Sequence, residues 1–320
     1  MRYNRPGRTG IELSRVGLGG HEFLPDGRSR GFNENYLKAT TPDIIFEGFG
    51  GEKRRAVVAA AHVAGINFFD VTIDSEKEAL YRNLVQAPPA HPVYIQTRPE
   101  GMVYTNNPDD LNNWRMADLN LLRAEVKRLT RVLGRRPDFL NFGFMGDALD
   151  HDPDYLKKIS ANIKALKDEG LVRFACADTF SGEELYLKQI GTGAFDGIFI
   201  NFNLADDGPA RKVLPEAAVR GMSVHCREAF GKGALFRMGE EAGITDRSVL
   251  ARAALRWVLS HPEVTTCVIG IDNPAQLADN LRSLDAPPLS AEDDRLIAAL
   301  MKTGTYRQVH GEKLKSFGIK

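Results

Sequence analysis

Cysteine is scarce in this chain: Cys176, Cys226 and Cys267 are far apart and odd in number. That excludes a disulfide-stapled scaffold and points to a reducing compartment. Long apolar runs are also lacking, and no stretch approaches the roughly 18 residues of a membrane span. The opening MRYNRPGRTG is polar, without the apolar centre of a secretory leader, so a cytoplasmic location with no membrane partner is expected. Neither sign of charge is in excess, since Lys+Arg and Asp+Glu both total 42. Net charge therefore dictates no nucleic-acid partner, and the short cluster at 135–137 reads as solvated loop. Metal-binding spacings such as H-x-H, H-E-x-x-H or paired C-x-x-C are missing. His21, Glu22, Asp178, His225, Cys226 and Glu228 are potential ligands on different segments, but they read as core or mouth residues and no metal is expected.

What is present is alternation. Short polar-alternating runs flank Gly7-Arg8-Thr9-Gly10, which suggests a β-hairpin. A long irregular stretch, 21–52, follows, of the kind that is usually functional or disordered. From residue 53 amphipathic helical segments and short apolar strands take turns. EKRRAVVAAAHVAG reads as a helix closed by Gly65, and DLNLLRAEVKRLTRVLG has apolar residues three and four apart. Counting RVGLGG as the first, there are eight strands: RVGLGG, INFFD, PVYIQTR, DFLNFGF, VRFACAD, FDGIFINFN, MSVHCR and TTCVIG. Eight βα units imply a parallel sheet buried on both faces and favour a closed (β/α)8 TIM barrel with an N-terminal β-hairpin cap. No linker interrupts the cycle, so residues 1–320 read as one domain, with a tail from about 303 able to fold back over the barrel mouth.

Three stretches carry a resemblance. YNRPGRTGIELSRVGLGG looks like a cap hairpin running into a first strand. GINFFDVTIDSEKEALYRNLV follows a pattern G-[IV]-x-x-[FI]-D-T-A-x-x-Y-G-x-[ST]-E-x-x-L-G, and SVLARAALRWVLSHPEVTTCVIGIDNPAQLADNL follows A-L-R-W-x-L-x-x-P with I-x-G-x-x-x-P-x-Q-L-x-x-N. Together they resemble the aldo-keto reductases, which implies a nicotinamide-dependent oxidoreductase on a TIM barrel. The family's tetrad is Asp, Tyr, Lys and His. Asp70 matches the Asp, but Ser75 stands at the Tyr position, or Asp74 if the segment is one residue shorter. Arg98 stands at the Lys position and Gly143 at the His position. Hydride addition to a carbonyl leaves an alkoxide that needs a positioned proton donor. A Ser hydroxyl is a poor acid for this, and Arg98 stays charged. Tyr81, in the middle of the following helix, reads as structural.

The cofactor positions implied by the resemblance are also changed at one end. The Ser-Asn pair that holds the carboxamide maps to Asp178-Thr179, the sixth-strand Gln to Phe199, and the ring-stacking Tyr to Arg227, whose charge opposes an oxidised nicotinamide. AFGKGAL resembles the pyrophosphate loop, with Gly231, Lys232 and Gly233 as phosphate contacts. Asn280 matches the adenine-contacting Asn, with Gln276 one turn earlier. Asp272 stands where NADP-binding members often carry a cation, which would favour NAD(H) over NADP(H).

Strand alternation gives the barrel lining without the family's help. With Asp70 and Arg98 inward, spacing two adds Phe68 and Thr72, Gln96, Asn141 and Gly143, Cys176 and Asp178, Asn201 and Asn203, and His225 and Arg227. The resulting catalytic candidates are Asp70, Arg98, Asp178, His225, Arg227 and Glu228. The substrate-binding candidates are His21, Glu22, Gln96, Asn141, Asn201 and Asn203. Any single one has a structural reading as an ion pair or core hydrogen bond. Together they suggest a polar cavity for a small hydroxyl-rich or anionic substrate, because unmatched buried polar groups are costly. Three functions suit it: an oxidoreductase with a rebuilt active site, a nicotinamide-independent lyase or isomerase on a polyol or sugar acid, and a catalytically silent binding protein. Cys176 is inward but has no evident base.

Overall fold

The computed structural model describes residues 1–103, 112–285 and 289–319. Tyr3–Asn4 pairs antiparallel with Leu13–Ser14 as a small hairpin, and eight parallel strands then close into a barrel. The barrel strands are β1 (Val16–Gly19), β2 (Phe68–Asp70), β3 (Tyr94–Thr97), β4 (Phe139–Gly143), β5 (Phe174–Asp178), β6 (Gly197–Asn201), β7 (Ser223–Arg227) and β8 (Thr266–Ile269). Each is followed by an outer helix: α1 (Glu52–Val63), α2 (Asp74–Gln86), α3 (Leu119–Leu133), α4 (Tyr155–Asp168), α5 (Glu183–Gly191), α6 (Val213–Val219), α7 (Arg247–Ser260) and α8 (Pro274–Leu281). The (β/α)8 barrel and its hairpin cap are those expected from the alternation of strands and helices. Among the described residues no helix is long and apolar enough to cross a membrane.

Local chemistry accounts for the helix limits. The Asp118 carboxylate caps α3 by accepting from the N–H groups of Asn120 and Leu121. Gly134 ends it at φ 68°, and a Cβ there would lie 2.2 Å from the Tyr81 ring, so glycine is required both for backbone and for packing. Tyr81 therefore packs on the outer helix layer, away from the barrel interior. Gly65 ends α1 in the same left-handed way at φ 81°.

The strand phase separates two cores. Val16, Leu18, Phe69, Ile95, Leu140, Phe142, Ile198, Ile200, Val224, Cys226 and Cys267 face the helices. Phe68, Phe139, Cys176, Phe199 and Val268 face inward, where Ile11 and Leu13 of the hairpin join them. The floor of the barrel is thus aromatic, each Phe contributing about 1.5–3 kcal/mol by burial. Gly17 makes room for it, since a Cβ there would come within 2.8 Å of Phe68.

Two segments are more ordered than the sequence suggests. The 21–52 stretch contains short helices at Arg30–Glu34 and Tyr36–Thr40. The tail is mostly a helix, Gly304–Ser316, packed on the helix Ala234–Glu241. It ends with Phe317 accepting the N–H of Glu183, against Gly182 at the start of α5. The expected pocket-shaping segment 100–115 lies largely outside the described residues.

Candidate functional site

The C-terminal ends of the strands carry the polar residues, as barrel topology requires of an active face. They form two clusters above a shared floor.

The first cluster sits at the ends of β1, β2 and β3. Asp70 is buried and accepts the Gln96 amide N–H on Oδ1 at 2.9 Å. Burial raises its pKa, and the Gln96 bond, Arg98, Arg227 and His21 pull only part of the way back. Gln96 in turn accepts at Oε1 from His225 Nδ1 at 2.6 Å. His225 lies between the rings of Phe68 and Phe139, at centroid distances of 4.6 and 4.8 Å, and burial pushes its pKa down to about 3. It is therefore neutral, with the proton on Nδ1, and serves as a fixed donor to Gln96 well below the mouth. Cys176 Sγ lies 3.8 Å from the same nitrogen, and burial drives its pKa far up, so it remains a thiol.

Nearer the surface, His21 Nδ1 meets Glu76 Oε1 at 2.6 Å, while Glu76 Oε2 accepts the Thr72 N–H at 2.8 Å. Thr72 Oγ1 lies 3.5 Å from an Arg98 guanidinium nitrogen. Burial opposes charge on both His21 and Glu76, but their mutual attraction prevails. The His21 pKa is raised and that of Glu76 lowered, the latter helped by Thr72 and by Arg54. Glu22 turns away: Oε1 accepts the Gly50 N–H at 2.6 Å and the carboxylate lies near Arg30, so it ties down the long loop.

The second cluster spans β5, β6 and β7. Arg227 makes a bidentate pair with Asp178 at 2.8 and 3.1 Å and donates from Nε to Asn201 at 2.6 Å. Its guanidinium lies 4.3 Å from the Phe199 ring centroid and 4.8 Å from that of Phe180, which is 56% exposed. Gly143 leaves space beside Asp178, where a Cβ would sit 3.5 Å from Oδ2. Asn141 is buried with Oδ1 unpartnered among the described residues.

Other candidates have their polar atoms engaged outside the centre of the mouth. Asn203 donates to the Glu228 carbonyl and accepts from Ala205 N–H, both at 2.9 Å, and so clasps the next loop. Glu228, at φ 62°, faces Lys232 at 3.1 Å and Lys313 of the tail helix at 3.9 Å. The 231–234 turn donates inward: the N–H groups of Gly231, Gly233 and Ala234 reach Glu228, Phe230 and Gly231 carbonyls. An anion there would meet the exposed Lys232 ammonium rather than a backbone cradle. Asp272 pairs with Lys53 at 2.7 Å, and its N–H is taken by Gln276 Oε1 at 2.9 Å. Asn280 is buried on α8.

Asp74 and Ser75, the two residues that the resemblance sets against the family's Tyr, do not reach the mouth. Asp74 is a buried hub for Lys77, Arg128 and the Asp43 N–H, and these hold its carboxyl well below the usual range despite burial. Ser75 Oγ accepts the Phe46 N–H at 2.9 Å. Sequence reasoning passed over Glu76, Arg54, Lys53 and Phe180. The only signal for Glu76 was an acid in the first turn of α2, which also reads as an ordinary helix start. Among the described residues no three His, Cys, Asp or Glu side chains gather as a metal site.

Comparison with known proteins adds a family likeness. The Aldo/keto reductase family model matches residues 239–302, the segment that holds α7, β8 and α8. The barrel is similar to an aldo-keto reductase of Bacillus halodurans solved in its holo form, with a TM-score of 0.69 and 18% identity over 97% of this chain and 99% of that one. It is also similar to a glycerol dehydrogenase of Gluconobacter oxydans, with a TM-score of 0.65 and 17% identity over 93% and 94% of the two chains. At such identities the structural likeness speaks for the fold alone, and the family model matches only this C-terminal segment.

Proposed function

We propose that this chain is an oxidoreductase of the aldo-keto reductase superfamily with a rebuilt active site, acting on a small polar carbonyl or sugar-like substrate. The observation that carries the reading is the first cluster: a buried carboxyl of raised pKa, Asp70, electrostatically coupled to Arg98 and His21 at the active face of the barrel. Arg98 suits a carboxylate or hydroxyl-rich substrate, because its fork donates in a plane. Asp70 and His21 can exchange protons with substrate oxygens.

The residues present accommodate a nicotinamide dinucleotide in outline. Phe180 offers an exposed aromatic face backed by the Arg227 guanidinium. Lys232 offers an exposed cation for phosphate, and Gln276 and Asn280 are the residues that the resemblance would assign to the adenosine end. When bound, such a cofactor supplies a hydride. Its phosphate contact would rest on Lys232, since the nearby amides donate elsewhere. The Asp272 charge that argued for NAD(H) is matched by Lys53, which removes that preference over NADP(H).

A nicotinamide-independent isomerase or lyase is the second reading. It is favoured by one feature: Asp178 and Arg227, at positions where the family holds nicotinamide, are bonded to each other. Titration with NADH and NADPH by calorimetry, followed by absorbance at the nicotinamide band with small aldehydes and sugars, separates the two. Binding and oxidation of a reduced cofactor is the expected result. No binding of either cofactor sinks the first reading, and sugar turnover without cofactor establishes the second.

A further inference from the structure

We propose that His21 is the proton donor of this mouth, oriented by the buried carboxylate of Glu76, and so fills the role left open at Ser75. This assignment rests on the carbonyl-reducing function proposed above. Its basis is a three-part arrangement. Glu76 is fixed from both sides, with His21 Nδ1 at 2.6 Å on one oxygen and the Thr72 N–H at 2.8 Å on the other. Its side chain is 1% exposed, whereas that of His21 is 38% exposed. Nε2 of His21 has no hydrogen-bond partner among the described residues. The ring thus has one edge anchored in the protein and the other open, the division of labour a general acid needs.

The location fits as well. His21 follows β1 by two residues, beside β2, and Gly20 donates its N–H to the Asp70 carbonyl at 2.6 Å. A Cβ on Gly20 would lie 2.9 Å from Glu76 Oε2, so glycine there lets the His21 segment approach the carboxylate. The charged groups that act on His21 are Glu76 from α2, Asp70 from β2 and Arg98 after β3, and the Phe32 ring meets it edge-on at 5.8 Å. Arg54 of α1 backs Glu76 and donates to the Gly19 carbonyl at 2.5 Å. Two carboxylates oppose one guanidinium around the imidazole, and its pKa is raised accordingly.

In the step, hydride for the carbonyl carbon would come from a bound nicotinamide-class reductant, and the C=O π pair moves onto oxygen. The His21 Nε2–H bond breaks and an O–H bond forms, giving the alcohol. The N–H electron pair stays on Nε2, the ring becomes neutral, and it regains a proton from water at its open edge.

The test combines histidine 15N NMR with kinetics. In the wild type, His21 is expected to titrate above 6.5, and in Glu76→Gln below it, where burial and Arg98 outweigh the attraction of Asp70. The alkaline limb of the kcat profile should move down with it. His21→Gln, on a part-exposed side chain that leaves the fold intact, should lower kcat by about 100-fold or more with little change in KM. A His21 titration unmoved by Glu76→Gln, or a His21→Gln enzyme with wild-type kcat, overturns the assignment while leaving the proposed function standing. A wild-type protein that turns over no carbonyl with either reduced cofactor overturns both, and the NMR titration distinguishes that case because it needs no substrate.

Discussion

The two sides of the mouth use similar residue types to opposite ends. On the β5–β7 side, Arg227 makes a bidentate pair with Asp178, its third donor goes to Asn201, and two phenylalanine rings lie against the guanidinium. The charges there are matched, and the Arg227 pKa is raised because Asp178 outweighs the cost of burial. On the β1–β3 side the groups titrate and are incompletely matched. Asp70 has one amide partner and a raised pKa, and His21 keeps an open ring edge. A saturated ion pair holds geometry, while an under-satisfied carboxyl and an open imidazole are suited to moving protons. Under the proposed function, the β5–β7 side would serve as scaffold and the β1–β3 side would move protons.

The largest effect should come from the saturated side. Asp178→Ala leaves the Arg227 guanidinium, whose side chain is 11% exposed, without its counter-charge. Breaking such a pair costs about 3–5 kcal/mol. Urea unfolding of the variant should show a loss of that size. A loss below about 1 kcal/mol would mean that the pair is solvated and that the two sides do not differ as argued.

How much of this was legible in the sequence follows from the range of the interactions. Strand and helix order could be read because apolar periodicity and terminal glycines such as Gly65 and Gly134 are local signals. Spacing two also placed Asp70, Gln96, Asn141, Asp178, Asn201, His225 and Arg227 inward, since alternation is a property of the strand itself. It did not show depth. His225 is one layer below Arg227, and that step of two residues separates a neutral core imidazole from a mouth cation. Beyond the strand ends alternation ceases to apply. Glu22, Asn203 and Glu228 could not be distinguished from His21, although they serve loop backbones or tail lysines. Asp74, Ser75 and Glu76 are consecutive, yet the helical turn sends the first two to the outer layer and loop and the third to His21.

A second, opposite effect belongs to the under-satisfied side. Because the Asp70 pKa is raised by burial, its charge opposes folding: the stabilising protonated form prevails below the ordinary value of 3.8 and is lost as pH rises through the folded value. Asp70→Asn should therefore stabilise the protein at neutral pH, by about 0.5–2 kcal/mol, while abolishing its proton chemistry. Thermal unfolding at neutral and acid pH tests it. The gain should shrink on acidification, and destabilisation at neutral pH would place Asp70 among the structural carboxylates instead.

The smallest effect separates the clusters by pH. Glu76 has a lowered pKa, so its contribution is present above its ordinary value of 4.5 and is lost as pH falls through the folded value. His21 has a raised pKa, so its contribution is present below 6.5 and is lost as pH rises through the folded value. Their attraction therefore has its full value between 4.5 and 6.5 and declines on both sides. With His21 more than a third exposed, solvent screening limits it to about 0.5–1 kcal/mol. The stability difference between wild type and Glu76→Gln, measured by urea melts from about pH 4 to 9, should follow that arch. The Asp178–Arg227 pair cannot show its alkaline limb, because a guanidinium keeps its proton throughout this range. A flat difference for Glu76→Gln would mean that His21 is neutral across the range and that both sides of the mouth are equally fixed.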